Sequence, residues 1–96
     1  MDEQRIRGLM GLCVRAGQGV FGEESCLKAL RGGQAALLIM DDGISPRSAE
    51  KFEQLCEREE IPLRRIRAGL LEEATGRPGK TMAIRPGSFA ERLAEA

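Results

Sequence analysis

An uninterrupted apolar run in the middle of the chain restricts the fold more than any other feature of the sequence. Residues 35–40 read Ala-Ala-Leu-Leu-Ile-Met and lie between the pair Gly32-Gly33 and the turn sequence Asp41-Asp42-Gly43. Six residues are too few for a typical helix and match the usual length of a strand. A strand without polar alternation has both of its faces covered. The run therefore predicts a central strand with other elements packed on both sides.

The rest of the sequence predicts helices and strands in alternation. Amphipathic helical spacing runs from Ile6 to Val14, from Gly22 to Leu30, and onward from the helix-start pair Ser45-Pro46. Strand-like segments occupy residues 18–21, 61–66 and 81–85, and a short helix is expected around residues 70–74. Ser88 and Glu91 predict a capping box that begins a last helix. Such alternation indicates an α/β fold with helices on both faces of a sheet.

Length and hydropathy place the chain among small soluble proteins. Its 96 residues predict a single domain spanning residues 1–96, and the apolar run is too short to cross a bilayer. The first residues, Met1-Asp2-Glu3-Gln4-Arg5, do not resemble a secretory signal. We therefore expect a cytoplasmic protein with no membrane partner.

The residue types that most enzymes and metal sites use are scarce. The sequence has no histidine, and its three cysteines, Cys13, Cys26 and Cys56, are far apart. We expect these thiols to be reduced and buried. Residues 76–81 end in Gly-Lys-Thr like a phosphate-binding P-loop, but Ala74 stands where that loop requires its first glycine. The sequence thus predicts no enzyme activity, no metal site and no cofactor.

The charge distribution leaves two interpretations open. Formal net charge is zero, yet residues 61–85 carry six basic side chains against two acidic ones. Such a strip can hold a phosphate backbone, or it can be an ordinary solvated surface.

Two segments have the chemistry to bind nucleic acid. A helix that begins after Gly22 offers free backbone N–H groups to phosphates, and Lys28 follows in the same helix. The loop from Gly76 to Lys80 adds Arg77 and a second lysine. The only aromatic residues are three phenylalanines, so recognition of RNA shape and backbone is favoured over base stacking.

Several short segments together resemble a known family. They are Gly8-Leu9-Met10-Gly11-Leu12, Arg15-Ala16-Gly17, Gly22-Glu23-Glu24, residues 27–33 and residues 36–42. The pattern is similar to the YlxQ-type bacterial members of the ribosomal protein L7Ae/L30e superfamily, whose better-studied members bind kink-turn RNA. The resemblance extends from about Arg5 to Leu93. It implies a three-layer α/β/α sandwich around a mixed four-stranded sheet.

The resemblance also implies an RNA-binding surface. The family motif, Gly-x-Asn-Glu-x-x-Lys, aligns with Gly22, Glu23, Glu24, Ser25 and Lys28, and a second contact aligns with the loop that carries Arg77 and Lys80. Glu24 stands at the Asn position and Ser25 at the Glu position. A carboxylate accepts hydrogen bonds but cannot donate them to guanine acceptors.

The implied partner is a structured RNA, either ribosomal or kink-turn-like, together with ribosome or ribosome-assembly proteins. The alternative is a non-catalytic protein–protein interaction module that has the same fold but has lost RNA binding. In that case Glu23 and Glu24 would face a basic partner.

Overall fold

The central strand of the sheet has the buried character that the apolar run predicts. The computed structural model describes residues 2–96. Along the chain the elements are α1 (Glu3–Arg15), β1 (Gly19–Phe21), α2 (Glu23–Arg31), β2 (Leu37–Asp41), α3 (Pro46–Glu59), β3 (Leu63–Ile66), α4 (Leu70–Thr75), β4 (Thr81–Ile84) and α5 (Ser88–Glu95). All five residues of β2 are buried.

The four strands form one mixed sheet in the order β1-β4-β2-β3. β4 pairs antiparallel with both β1 and β2, whereas β2 and β3 are parallel. Asp41 pairs with Ile66 and Met40 with Thr81, so β2 and β3 end where β4 begins. The loops that follow β2 and β3 and the loop that precedes β4 therefore meet at one edge of the sheet.

Side chains of β2 alternate between two separate cores, as a strand's geometry requires. Leu37 and Ile39 pack in the core that α1, α4 and α5 cover. Leu38 and Met40 pack in the opposite core, beneath α2 and α3. The predicted three-layer α/β/α sandwich with a mixed four-stranded sheet is confirmed.

The start of the last helix differs from the prediction. Ser88 is already the first residue of α5, Gly87 is the N-cap with φ 145°, and no side chain caps this end. The predicted capping box is therefore wrong: the helix begins one residue earlier than a capping serine requires, after a glycine that tolerates positive φ.

The cysteines behave as predicted. Cys13, Cys26 and Cys56 are free and buried, so they pack as small apolar side chains. Burial raises the pKa of Cys13 and of Cys56 to about 11. None of the helices formed by residues 2–96 has the length and hydropathy needed to cross a bilayer.

Candidate nucleic-acid interface

The two segments singled out in the sequence lie side by side around a cleft. Gly22 and Glu23, at the start of α2, line one side of it, and Gly79 and Lys80, before β4, line another. The cleft has a volume of about 240 Å³ and is open to solvent. Its remaining lining comes from Ile44, Ser45, Ser48, Phe52 and Thr81. The fold thus joins two sites that are more than fifty residues apart in the chain.

Arg77, in the same loop as Lys80, contacts the end of β1. Its guanidinium lies over the ring of Phe21, with the guanidinium carbon 4.7 Å from the ring centroid. This distance is within the range of a cation–π contact. Because Phe21 directly precedes Gly22, the contact fixes the 76–80 loop against the segment that leads into α2.

The start of α2 presents its backbone donors to solvent. Gly22 adopts φ 92°, a conformation that L side chains rarely adopt, and no side chain caps the helix. The first N–H groups of a helix have no partner within the helix. They remain available to a phosphate or a base edge beside the cleft.

Glu23 is tied to the neighbouring helix. The Ser48 hydroxyl donates to its carboxylate at 2.9 Å, and the Lys51 ammonium lies 3.3 Å from the other carboxylate oxygen. These contacts lower the pKa of Glu23, the hydrogen bond from Ser48 most of all. Glu23 therefore links α2 to α3 across the cleft, and its charge is offset by Lys51.

The other predicted residues of α2 lie outside the cleft. Glu24, Ser25 and Lys28 are exposed, and their side chains have no hydrogen-bond or ion-pair partner within residues 2–96. Glu24 and Lys28 are four positions apart, which puts them on one face of the helix. The structure brings Gly22, Glu23 and Lys80 together, then, and leaves Glu24, Ser25 and Lys28 on the adjoining surface.

A buried carboxylate supports the loops at this edge of the sheet. Asp41 is 1% exposed, and its side chain accepts hydrogen bonds from the N–H groups of Gly43, Gly69 and Leu71. Its own N–H donates to the Lys80 carbonyl at 2.8 Å. Asp41 thus connects the loop after β2, the start of α4 and the loop that carries Lys80.

The basic strip of residues 61–85 does not form one surface. Arg64 donates to carbonyls at the end of α5, Arg65 pairs with Asp42 and Glu53, and Arg67 pairs with Glu3 and Glu73. These three arginines belong to or follow the edge strand β3, and they hold neighbouring elements together. Of the basic side chains in the strip, Lys80 lines the cleft, and Arg77 lies in the same loop.

Sequence reasoning missed the wall of the cleft that follows β2. Ser45 is predicted only as part of a helix start and Phe21 only as part of a short strand, and the sequence assigns no role to Ile44 or Ser48. A signal was available: ligands of open α/β sheets bind beyond the carboxyl ends of the strands, and residues 41–45 follow the central strand directly.

A mixed sheet between two helical layers, with a basic loop beside an uncapped helix start, defines a class of small α/β proteins with an L7Ae-like fold. The chain belongs to the Ribosomal protein L7Ae/L30e/S12e/Gadd45 family, whose model matches residues 4–86. The resemblance seen in the sequence is confirmed.

Individual relatives agree with this assignment. The chain is 26% identical over 87 residues to the RNA-binding protein YlxQ of Bacillus subtilis, covering 88% of this chain and 87% of that protein. A Bacillus halodurans protein of unknown function has a structure that superposes with a TM-score of 0.89 at 27% identity, covering 95% of this chain and 94% of that one. The Giardia lamblia 15.5kD RNA binding protein superposes with a TM-score of 0.78 at 16% identity, covering 96% and 80%, and shows the shared fold.

Proposed function

We propose that the protein binds structured RNA through the surface around the cleft. The observation that carries this proposal is the meeting of the uncapped start of α2 with the loop that holds Arg77 and Lys80. Backbone N–H donors and unpaired cations together suit a phosphate backbone. The role is binding, without catalysis.

Within this surface each predicted residue has a proposed part. The N–H groups after Gly22 and the hydroxyl of Ser25 donate to the RNA, and Lys28, Arg77 and Lys80 contact phosphates. Glu23 shapes the cleft through α3, and Glu24 lies beside the helix start, where its carboxylate can only accept hydrogen bonds and weakens phosphate binding.

The name of the Bacillus subtilis relative supports RNA as the ligand. We infer a structured target, either ribosomal RNA or a kink-turn-like element, and an association with ribosomes or their assembly in the cytoplasm. Because Glu24 repels nearby phosphates by about 1 kcal/mol at close range, we expect weaker kink-turn binding than a motif with Asn at this position would give.

Filter binding over a salt series tests the proposal. The probes are a kink-turn hairpin taken from ribosomal RNA and an unbent duplex of the same length. The double variant Lys28→Glu with Arg77→Glu should bind the hairpin at least tenfold more weakly and lower the salt slope by about 2, one for each lost phosphate contact.

A control variant makes the same change in net charge elsewhere. Arg58→Glu with Arg92→Glu alters exposed residues at the end of α3 and on α5, away from the cleft. It should keep most of the wild-type affinity. Equal losses in both double variants, or no hairpin binding by the wild type, would contradict the proposal and favour a protein partner for the fold.

A further inference from the structure

The outer face of α1 carries four residues that neither the two cores nor the proposed RNA surface uses. Arg5, Gly8, Leu12 and Arg15 are all exposed. Their spacing of three, four and three residues places them along one side of the helix. At a rise of 1.5 Å per residue the two arginines lie about 15 Å apart along the helix axis.

Gly8 has no structural reason to be glycine within this chain. It lies in the interior of α1, where glycine is less stable than alanine, and a Cβ atom there would meet nothing within 4 Å. Gly11 differs, because its Cβ would stand 3.4 Å from the Ala74 carbonyl oxygen. A glycine facing open space permits the close approach of another backbone.

Leu12 adds a protruding apolar group one helical turn from Gly8, whose missing side chain leaves a notch in the helix surface. Its 50% exposure makes it the one exposed large hydrophobic residue among residues 2–96. A single exposed leucine is ordinary by itself. Beside Gly8 it gives the helix face a knob and a hole at the spacing that helix–helix packing uses.

Unpaired positive charges flank Gly8 and Leu12 on this face of α1. Arg5 and Arg15 make no ion pair within residues 2–96, whereas Arg7, on the flank of the same helix, pairs with Glu73 at 3.3 Å. A complementary surface therefore carries negative charge at both ends and a small or apolar centre.

A second copy of the chain does not meet this requirement. An antiparallel pair of α1 helices centred between Gly8 and Leu12 would set Arg5 opposite Arg15, and a parallel pair would set each arginine opposite itself. Either arrangement would bring like charges together at both ends of the contact, which opposes association. We propose instead that α1 docks an acidic amphipathic helix of another protein, with carboxylates about 15 Å apart that flank a small apolar contact over Gly8.

An NMR titration with a synthetic peptide tests this independently of RNA binding. The probe is a helical peptide with glutamates ten positions apart around a Leu-Ala centre, and the control peptide has lysines in their place. We expect saturable amide shifts along α1 with the acidic peptide only. Arg5→Glu with Arg15→Glu should weaken binding roughly tenfold.

Gly8→Ala separates docking from folding. The substitution should raise the thermal stability of the free protein, because no atom blocks the new methyl group, and should weaken peptide binding severalfold. The proposal is overturned if the acidic peptide shifts no α1 resonance, if either variant binds it as the wild type does, or if the hairpin RNA produces the same α1 shifts.

Discussion

The guanidinium of Arg77 lies over the ring of Phe21, the residue that directly precedes Gly22, the N-cap of α2. Phe21 also packs against the core beneath α1, α4 and α5. The contact therefore holds a basic loop in place from a side chain that is itself anchored. An arginine placed in advance loses less conformational freedom when it meets a phosphate.

Replacing the ring should weaken RNA binding while leaving the fold intact. Phe21→Leu keeps an apolar side chain in the core but removes the aromatic face, a contact worth about 0.5–1 kcal/mol at an exposed site. We expect a two- to fivefold rise in the Kd for the kink-turn hairpin, corresponding to roughly that energy.

Phe89→Leu is the matched control, because Phe89 packs against the same core from α5. It makes the same substitution without touching the loop. If the two variants bind the hairpin equally well after correction for folded fraction, the Arg77–Phe21 contact has no part in binding.

Loss of the Asp41 carboxylate should destabilise the whole edge of the sheet. Asp41→Ala would leave the N–H groups of Gly43, Gly69 and Leu71 without their acceptor in a part-buried setting. Each unsatisfied buried donor costs about 1–3 kcal/mol, so we expect the free energy of unfolding to fall by about 3 kcal/mol or more. Urea denaturation monitored by circular dichroism measures this.

Asp42→Ala provides the comparison, since Asp42 is exposed and pairs with Arg65 at the surface. A surface ion pair contributes about 0–1 kcal/mol. A loss for Asp41→Ala no larger than the loss for Asp42→Ala would show that the buried hydrogen bonds are not a major source of stability.

Asp41 also shows where sequence reasoning about the fold reached its limit. The apolar run predicted β2 and the burial of both its faces, because a strand without polar residues cannot leave either face in water at low cost. The strand nevertheless extends through Asp41, which looked like a turn residue. The carboxylate of Asp41 accepts hydrogen bonds from the N–H groups of Gly69 and Leu71, about thirty positions along the chain, and no local sequence pattern predicts such distant donors.

The candidate site was likewise predictable only where local sequence patterns carry it. Gly22 and the 76–80 loop carry local signals, glycines and cations, and the resemblance to the family put them on one surface. The link from Glu23 to Ser48 and Lys51 depends on how α2 packs beside α3. The distribution of the basic strip likewise depends on which carboxylates the fold brings to Arg65 and Arg67.

The buried thiols should make stability fall at alkaline pH. Burial raises the pKa of Cys13 and of Cys56 to about 11, above the ordinary value of 9.0. Between these values the unfolded chain releases thiol protons that the native protein keeps. The contribution of the buried, protonated thiols to the free energy of unfolding is therefore fully present below pH 9 and is lost as the pH rises toward 11.

Denaturation midpoints across this range measure the effect. The variant Cys13→Ala with Cys56→Ala should start from a lower stability, because two core side chains shrink, but its stability should fall less steeply with pH. Each removed thiol flattens the slope by at most about 1.4 kcal/mol per pH unit. Parallel pH profiles for variant and wild type would contradict burial of these protonated thiols.

Reversing the charge of Glu24 should strengthen RNA binding. Its exposed carboxylate has no partner within residues 2–96 and lies beside the helix start proposed to receive phosphate. Glu24→Lys replaces repulsion by attraction, and we expect the Kd for the kink-turn hairpin to fall about five- to tenfold at low salt. The substitution should lower the stability of α2 by a few tenths to about 1 kcal/mol, because a negative charge in the first turn interacts favourably with the helix dipole.

Glu57→Lys is the control, because it makes the same change in net charge at an exposed position near the C-terminal end of α3. Nonspecific attraction would improve both variants alike, whereas a phosphate beside residue 24 requires a clearly larger gain for Glu24→Lys, and the difference should shrink as salt is raised.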